Sequence, residues 1–160
     1  MEKELDNDTF IITKTDLKGY ITYANKAFLD IVNAKENDLL NKAHNIIRHP
    51  DMPKAIFRYL WNELKDNKEV FAFVKNKTFD GGYYWVFANI STSYNLEKEP
   101  IGYYSVRRAI NKNAKDNIIN LYANMLKIEK LQGIQASWNY LRDILNGLSY
   151  DEFVLNLQGK

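Results

Sequence analysis

From Val70 to Val106 the sequence holds three strand-like segments in succession. Val70–Val74 (VFAFV), Tyr83–Thr92 (YYWVFANIST) and Ile101–Val106 (IGYYSV) are rich in aromatic and β-branched residues, which suit a pleated, half-buried surface. Asp80-Gly81-Gly82 reads as the hairpin turn between the first two, and Asn95–Pro100 as a polar turn before the third. Upstream, Thr9–Thr15 and Tyr20–Tyr23 read as a strand pair about the turn Asp16-Leu17-Lys18-Gly19, with Gly19 supplying the unusual backbone angle. Short helices fill the space between these groups. Asn25 is placed to cap one whose Phe28, Ile31 and Val32 form an apolar stripe, and Lys35–Leu40 reads as a further turn. Strands segregated from helices predict an α+β fold with an antiparallel sheet rather than a parallel crossover fold.

After Arg107-Arg108 the pattern changes to helical spacing. Ile118, Leu121, Tyr122, Met125 and Ile128 form one apolar stripe, and Trp138, Leu141, Leu145 and Leu148 a second beyond Gly133. Ser149 can cap a last helix carrying Phe153, Val154 and Leu157. These stripes can pack on the sheet or contact a partner chain. The whole chain has 160 residues, enough for one real core and a modest extension.

Composition removes several function classes. With no cysteine, the chain has no disulfide, thiolate metal site or cysteine nucleophile, and no flavin bonded through cysteine; a reducing cytoplasm is its natural setting. A net charge of +2 is too balanced for a nucleic-acid footprint. The N-terminal MEKELDNDTF carries no signal-type apolar run, and nowhere is there an apolar stretch long enough to span a bilayer, so direct membrane insertion is not expected. Aromatic residues make up 14% of the chain, which fits either a tyrosine-rich core or a pocket built from rings.

The densest chemistry is His44-Asn45-Ile46-Ile47-Arg48-His49-Pro50-Asp51-Met52-Pro53, which contains both histidines of the chain. Residues before proline are pushed out of helical geometry, so His49–Met52 should be an extended, stiff strap. Pro53 suits the first turn of a new helix, with Asp51 at or beside its cap. Ile56, Tyr59, Leu60 and Leu64 supply that helix with an apolar face. An i, i+5 histidine spacing suits no helical face, so metal binding is not expected. On the residues alone, Arg48 and Asp51 fit a structural ion pair as well as a ligand site, Trp61 fits the core, and Asn25 has a sufficient role as a cap.

The element order, with Asn25-x-x-Phe28 and the Asp80-Gly81 turn, resembles a PAS domain over roughly Asp8 to Arg108. The narrower set Thr15-Asp16-Leu17, Ile21–Asn25, His44–Lys54, Trp61, Val74-Lys75-Asn76 and Tyr84-Trp85-Val86-x-Ala88-Asn89 resembles the FAD-binding PAS domain of bacterial aerotaxis (energy-taxis) receptors. The resemblance implies a five-stranded antiparallel sheet with short helices on one face. It implies an N-terminal cap over 1–7, a PAS sensor domain over 8–110 and a C-terminal helical extension over 111–160. It also implies FAD between sheet and helices, held by residues matching Arg48, His49, Asp51 and Trp61, with Asn25, Phe57 and Asn76 matching further pocket or signalling positions. Arg48 and the start of the Pro53 helix suit a diphosphate, Trp61 suits ring stacking, and Asn76 and Asn89 carry amides able to read the flavin edge. Two departures are Phe71, where tryptophan is typical, and Phe73, which replaces a small residue and is expected to narrow the cavity.

The function implied is a cytoplasmic, non-enzymatic redox sensor of energy taxis. It would stand alone as the sensor subunit of a split system, peripheral to the inner membrane through a membrane-bound methyl-accepting-type receptor chain, with a homodimer as a further possibility. Flavin redox change would turn an amide, Asn76 or Asn89, and shift the sheet surface; such coupling is worth typically ~1–3 kcal/mol. The alternative readings are a haem-binding PAS gas sensor, with His44 or His49 as axial ligand, and a cofactor-free PAS dimerisation module.

Overall fold

The structure, a computed structural model, describes residues 1–159, so Lys160 at the end of the expected extension lies outside the described residues. The strands are β1 (Ile11–Thr15), β2 (Ile21–Ala24), β3 (Val70–Lys77), β4 (Tyr83–Tyr94) and β5 (Pro100–Ala109). They form one antiparallel sheet in the order β2-β1-β5-β4-β3. The predicted turns form it: Gly19 takes a φ of 89°, which an L side chain rarely adopts. Between β2 and β3 lie α1 (Lys26–Val32), α2 (Glu36–Leu39), a 3-10 turn (His44–Ile47) and α3 (Lys54–Lys65). Beyond β5 come α4 (Lys112–Gln132), α5 (Ile134–Leu145) and α6 (Tyr150–Gln158).

Register assigns each side chain to a face, since directly paired residues point the same way. Asn76 pairs with Tyr84, Ala88 with Arg107, Ile90 with Ser105, and Thr13 with Ser105, so these residues share the inner face, under the short helices. Phe73 pairs with Phe87, Phe71 with Asn89, and Lys75 with Trp85, which puts them on the outer face. Phe73 therefore does not narrow the inner cleft. It packs against Phe87 with ring centroids 5.9 Å apart, beneath the C-terminal helices.

Those helices pack on the sheet. Ile118, Tyr122, Met125, Leu141, Tyr150 and Val154 are all buried in the common core. The Tyr122 hydroxyl donates to the Phe73 carbonyl at 2.8 Å and shares a short hydrogen bond with the Tyr150 hydroxyl. Asp151 accepts from the Tyr59 hydroxyl of α3 at 3.0 Å and faces the Phe71 amide of edge strand β3 at 3.4 Å. Tyr59 also stacks on Trp138 of α5, with centroids 5.3 Å apart. The extension thus covers the outer face, wraps the β3 edge and reaches the helices on the other side.

Candidate functional site

The inner cleft lies between the sheet, the 3-10 turn and α3. Two adjoining cavities of about 130 and 100 Å³ share His44, Trp61, Ile90, Ser105 and Arg107 as lining. The larger also meets Arg48, Phe57 and Asn76. Four of the residues expected at a cofactor therefore come together: Arg48, Phe57, Trp61 and Asn76. The Arg48 guanidinium lies 3.8 Å from the centre of the Phe57 ring and makes no ion pair among the described residues. Burial lowers its pKa. Trp61 sits at the rim, 39% exposed, edge-on to Tyr103 and against Gly19. Asn76 is buried, and among the described residues its amide reaches only the Tyr84 hydroxyl, at a long 3.4 Å.

The floor holds a group that the composition break at Arg107-Arg108 concealed. Arg107 is 3% exposed, with no carboxylate beside it among the described residues. Its Nη1 lies 3.1 Å from His44 Nε2, and its Nη2 donates to Thr13 Oγ1 at 2.9 Å. Arginine can only donate, so His44 Nε2 must accept and the imidazole is neutral, with its proton on Nδ1. The pKa of His44 is pushed down to about 3, first by burial and then by the Arg107 charge. Burial pulls Arg107 down to about 10, which leaves it a cation. Arg107 Nε and Ser105 Oγ are both buried without a hydrogen-bond partner among the described residues. An uncompensated buried cation is costly, and buried polar atoms without partners are rare. The cleft floor therefore offers donors to a ligand acceptor. Strand alternation from Tyr103 and Ser105 puts Arg107 on the inner face, and this was the available signal.

The other expected residues lie elsewhere. His49 Nδ1 accepts from the Asp51 amide at 3.0 Å, and its ring meets the edge of Tyr83. Its pKa is lowered by burial and by Lys75. Asp51 neither caps α3 nor meets Arg48; it pairs with Lys75 at 2.8 Å, and that hydrogen bond lowers its pKa. The segment expected to be extended is instead a tight turn, closed by the Met52 amide donating to the His49 carbonyl at 3.1 Å; these residues fix this strap to β3, along with the Arg48–Asn76 bridge and the His49 amide to the Lys75 carbonyl. Asn25 caps α1 by accepting from the Phe28 amide at 3.1 Å, accepts also from Ile12 N, and donates to Phe10 O, so both polar atoms of its side chain are engaged within the chain. Asn89 is on the outer face, donating to Glu69 and the Val70 carbonyl; the expectation that it reads a flavin edge fails on register. Pro53 is the cap residue of α3 rather than a first-turn residue, and it has no side-chain acceptor to offer. The open amides of Lys54 and Ala55 are instead bound by Glu129 of α4, at 2.9 and 3.1 Å.

Comparison with known proteins adds the family. The PAS fold family matches residues 21–107, just over half of the chain. The chain belongs to the PAS family. This PAS chain is 40% identical over 103 residues to the aerotaxis receptor of Escherichia coli (strain K12), covering 64% of the chain and 20% of that relative. It is 29% identical over 99 residues to the nitrogen fixation regulatory protein of Klebsiella pneumoniae, covering 62% of the chain and 20% of the relative. It spans about one fifth of the length of these curated relatives. Among solved structures, a light-oxygen-voltage domain described with a flavin analogue superposes with a TM-score of 0.60 at 16% identity, over 72% of this chain and 86% of that one. The PAS domain of a Colwellia psychrerythraea protein superposes with a TM-score of 0.58 at 18% identity, over 64% and 87%. At these identities the structures speak to fold alone. No helix among the described residues is long and apolar enough to cross a membrane.

Proposed function

We propose that this PAS domain is a non-enzymatic redox sensor that holds FAD in its inner cleft, and that it relays the flavin state to a membrane-bound receptor of methyl-accepting type. The observation that carries this is Arg107, a buried cation on the cleft floor with an unpartnered Nε beside an unpartnered Ser105 Oγ. A flavin ring presents carbonyl and ring-nitrogen acceptors to such donors. Arg107, Ser105 and the amide of Asn76 would hold the ring edge, and Trp61 and Phe57 its flat faces. Arg48, with His49 and Lys77 across the neighbouring opening, would meet the phosphates. Each cavity is smaller than the ~300 Å³ at which ligand sites usually begin. Trp61, exposed at the rim, lines both, and its displacement would enlarge the space. The name of the 40% identical relative, an aerotaxis receptor, supports the energy-taxis reading.

Bound flavin supplies a ring-edge charge that depends on its redox state. The chain's own part is Asn76, whose weak bond to Tyr84 leaves its amide free to turn toward or away from that edge. Asn76 bridges the strap at Arg48, and its neighbour Lys75 anchors Asp51 on the outside, so a turn at Asn76 is felt on both sides of β3. A haem reading is disfavoured at His44, because an iron would have to take Nε2 from Arg107.

Purified protein should show a flavin absorption spectrum, with FAD identified after release by chromatography. A red Soret-type spectrum would establish the haem reading instead. Arg107→Met should lower FAD affinity by at least about tenfold, in keeping with a charge-assisted bond worth ~1.5–3 kcal/mol. The melting temperature of the cofactor-free protein should hold or rise, because a buried cation is removed. Loss of binding through unfolding alone would count against the assignment.

A further inference from the structure

Glu129 sits near the end of α4, and its carboxylate binds the start of α3, 75 residues earlier in the chain. It accepts from Lys54 N at 2.9 Å and Ala55 N at 3.1 Å, and from the buried Ser137 hydroxyl of α5 at 2.9 Å. The cap residue Pro53 has no side-chain acceptor to offer, and the nearby Asp51 is taken up by Lys75. Immediately beside the carboxylate is an opening of about 550 Å³ between the strap and the α4–α5 corner. Arg48, His49, Lys54, Lys77 and Lys130 line it, and Glu129 is its one acidic wall residue among the described residues. It adjoins the inner cleft through Asn45 and Arg48, which line both. The α4–α5 corner turns on Gly133, at a φ of 94°.

We propose that Glu129 is the residue that sets selectivity for the phosphate-bearing arm of the flavin, and that it does so by competing with that arm for the α3 amides. The inference rests on the flavin reading above. A helix start attracts one anion at a time, and here the chain supplies its own. With Glu129 in place, a diphosphate leaving the cleft past Arg48 meets a fixed negative charge in an otherwise basic opening. With Glu129 displaced, the same amides and lysines face the phosphates, and α5 loses its tether through Ser137. Cofactor loading is thereby linked to the docking of the C-terminal helices.

The test titrates the full cofactor-free chain with FAD and with riboflavin, which has the same ring and no phosphate. Flavin fluorescence reports binding, and backbone amide exchange over 134–145 reports docking of α5. Glu129→Gln should tighten FAD roughly fivefold or more, the range expected of a charge at a helix end, and change riboflavin by less than about twofold. Ser137→Ala, which keeps the carboxylate but removes one of its tethers, should shift FAD in the same direction by less. In the wild type, FAD but not riboflavin should speed exchange in α5. Equal effects of Glu129→Gln on both flavins, unchanged FAD affinity, or α5 exchange that slows with FAD would overturn the competition while leaving the flavin reading intact. If neither flavin binds the wild type, the flavin reading fails and this inference falls with it.

Discussion

Burial, and after it the Arg107 charge, holds His44 neutral, and this has a consequence in pH. The pKa of His44 is about 3 in the folded protein, against 6.5 for an ordinary histidine. The unfolded chain therefore binds this proton first as the pH falls. The stability due to neutral His44 is complete above about pH 6.5, declines below it, and levels off near pH 3. Within that window the slope is about 1.4 kcal/mol per pH unit. His44→Asn keeps an acceptor for Arg107 and removes the titration. Urea unfolding of wild type and variant at about pH 6, 5 and 4 should show the wild type losing stability faster by nearly that slope; parallel curves would mean that His44 does not titrate on unfolding. At this scale sequence reading succeeded where a side chain's task is local. Asn25 caps the helix that follows it, as its position implied. It failed where register decides: Asn89 and Asn76 are both strand asparagines, and only pairing reveals that they face opposite ways. Arg107 was hidden because two adjacent arginines look like a basic surface, although strand alternation buries one of them.

The elements themselves were largely legible, because each rests on short-range pattern. The aromatic and β-branched runs became β3, β4 and β5, and the helical stripes after Arg108 became α4, α5 and α6. What the stripes could not reveal was their target, since an apolar face is equally satisfied by a sheet or by another chain. The structure resolves this through polar detail: the Tyr122 and Tyr150 hydroxyls meet over the Phe73 carbonyl, inside the interface between the extension and the sheet. Burial raises the pKa of both tyrosines, so both remain neutral donors. Tyr122→Phe removes the donor to Phe73 and leaves that carbonyl without it, which should cost about 1–2 kcal/mol in chemical denaturation. Tyr150→Phe should cost a similar amount. Since the two hydroxyls bond to each other, the double variant should lose measurably less than the sum of the singles. Strict additivity would mean that the pair acts independently.

For the whole molecule, the change of pattern after Arg108 marks a boundary in the sequence and not in the folding unit. The resemblance places a PAS domain over 8–110, and the family match ends at 107. Yet the outer face of that sheet carries Phe71, Phe73, Trp85 and Phe87, which are buried or half-buried beneath or beside α4 and α6. The β3 edge is likewise joined to the extension through Asp151. A fragment ending at Ile110 would expose this contiguous aromatic surface together with an uncovered strand edge, a combination that promotes association. It would also free the α3 amides from Glu129. The fragment should therefore form dimers or larger species on size-exclusion chromatography, bind a hydrophobic dye, and melt well below the full chain. A monomeric fragment with a sharp transition within a few degrees of the intact protein would show that the PAS fold stands without its extension. The distinction bears on signalling. If the helices are needed to complete the core, a change at Asn76 on the inner face of β3 can reach α4 and α6 only by altering a shared core, and the extension becomes the part of the molecule in which the state of the cleft is read.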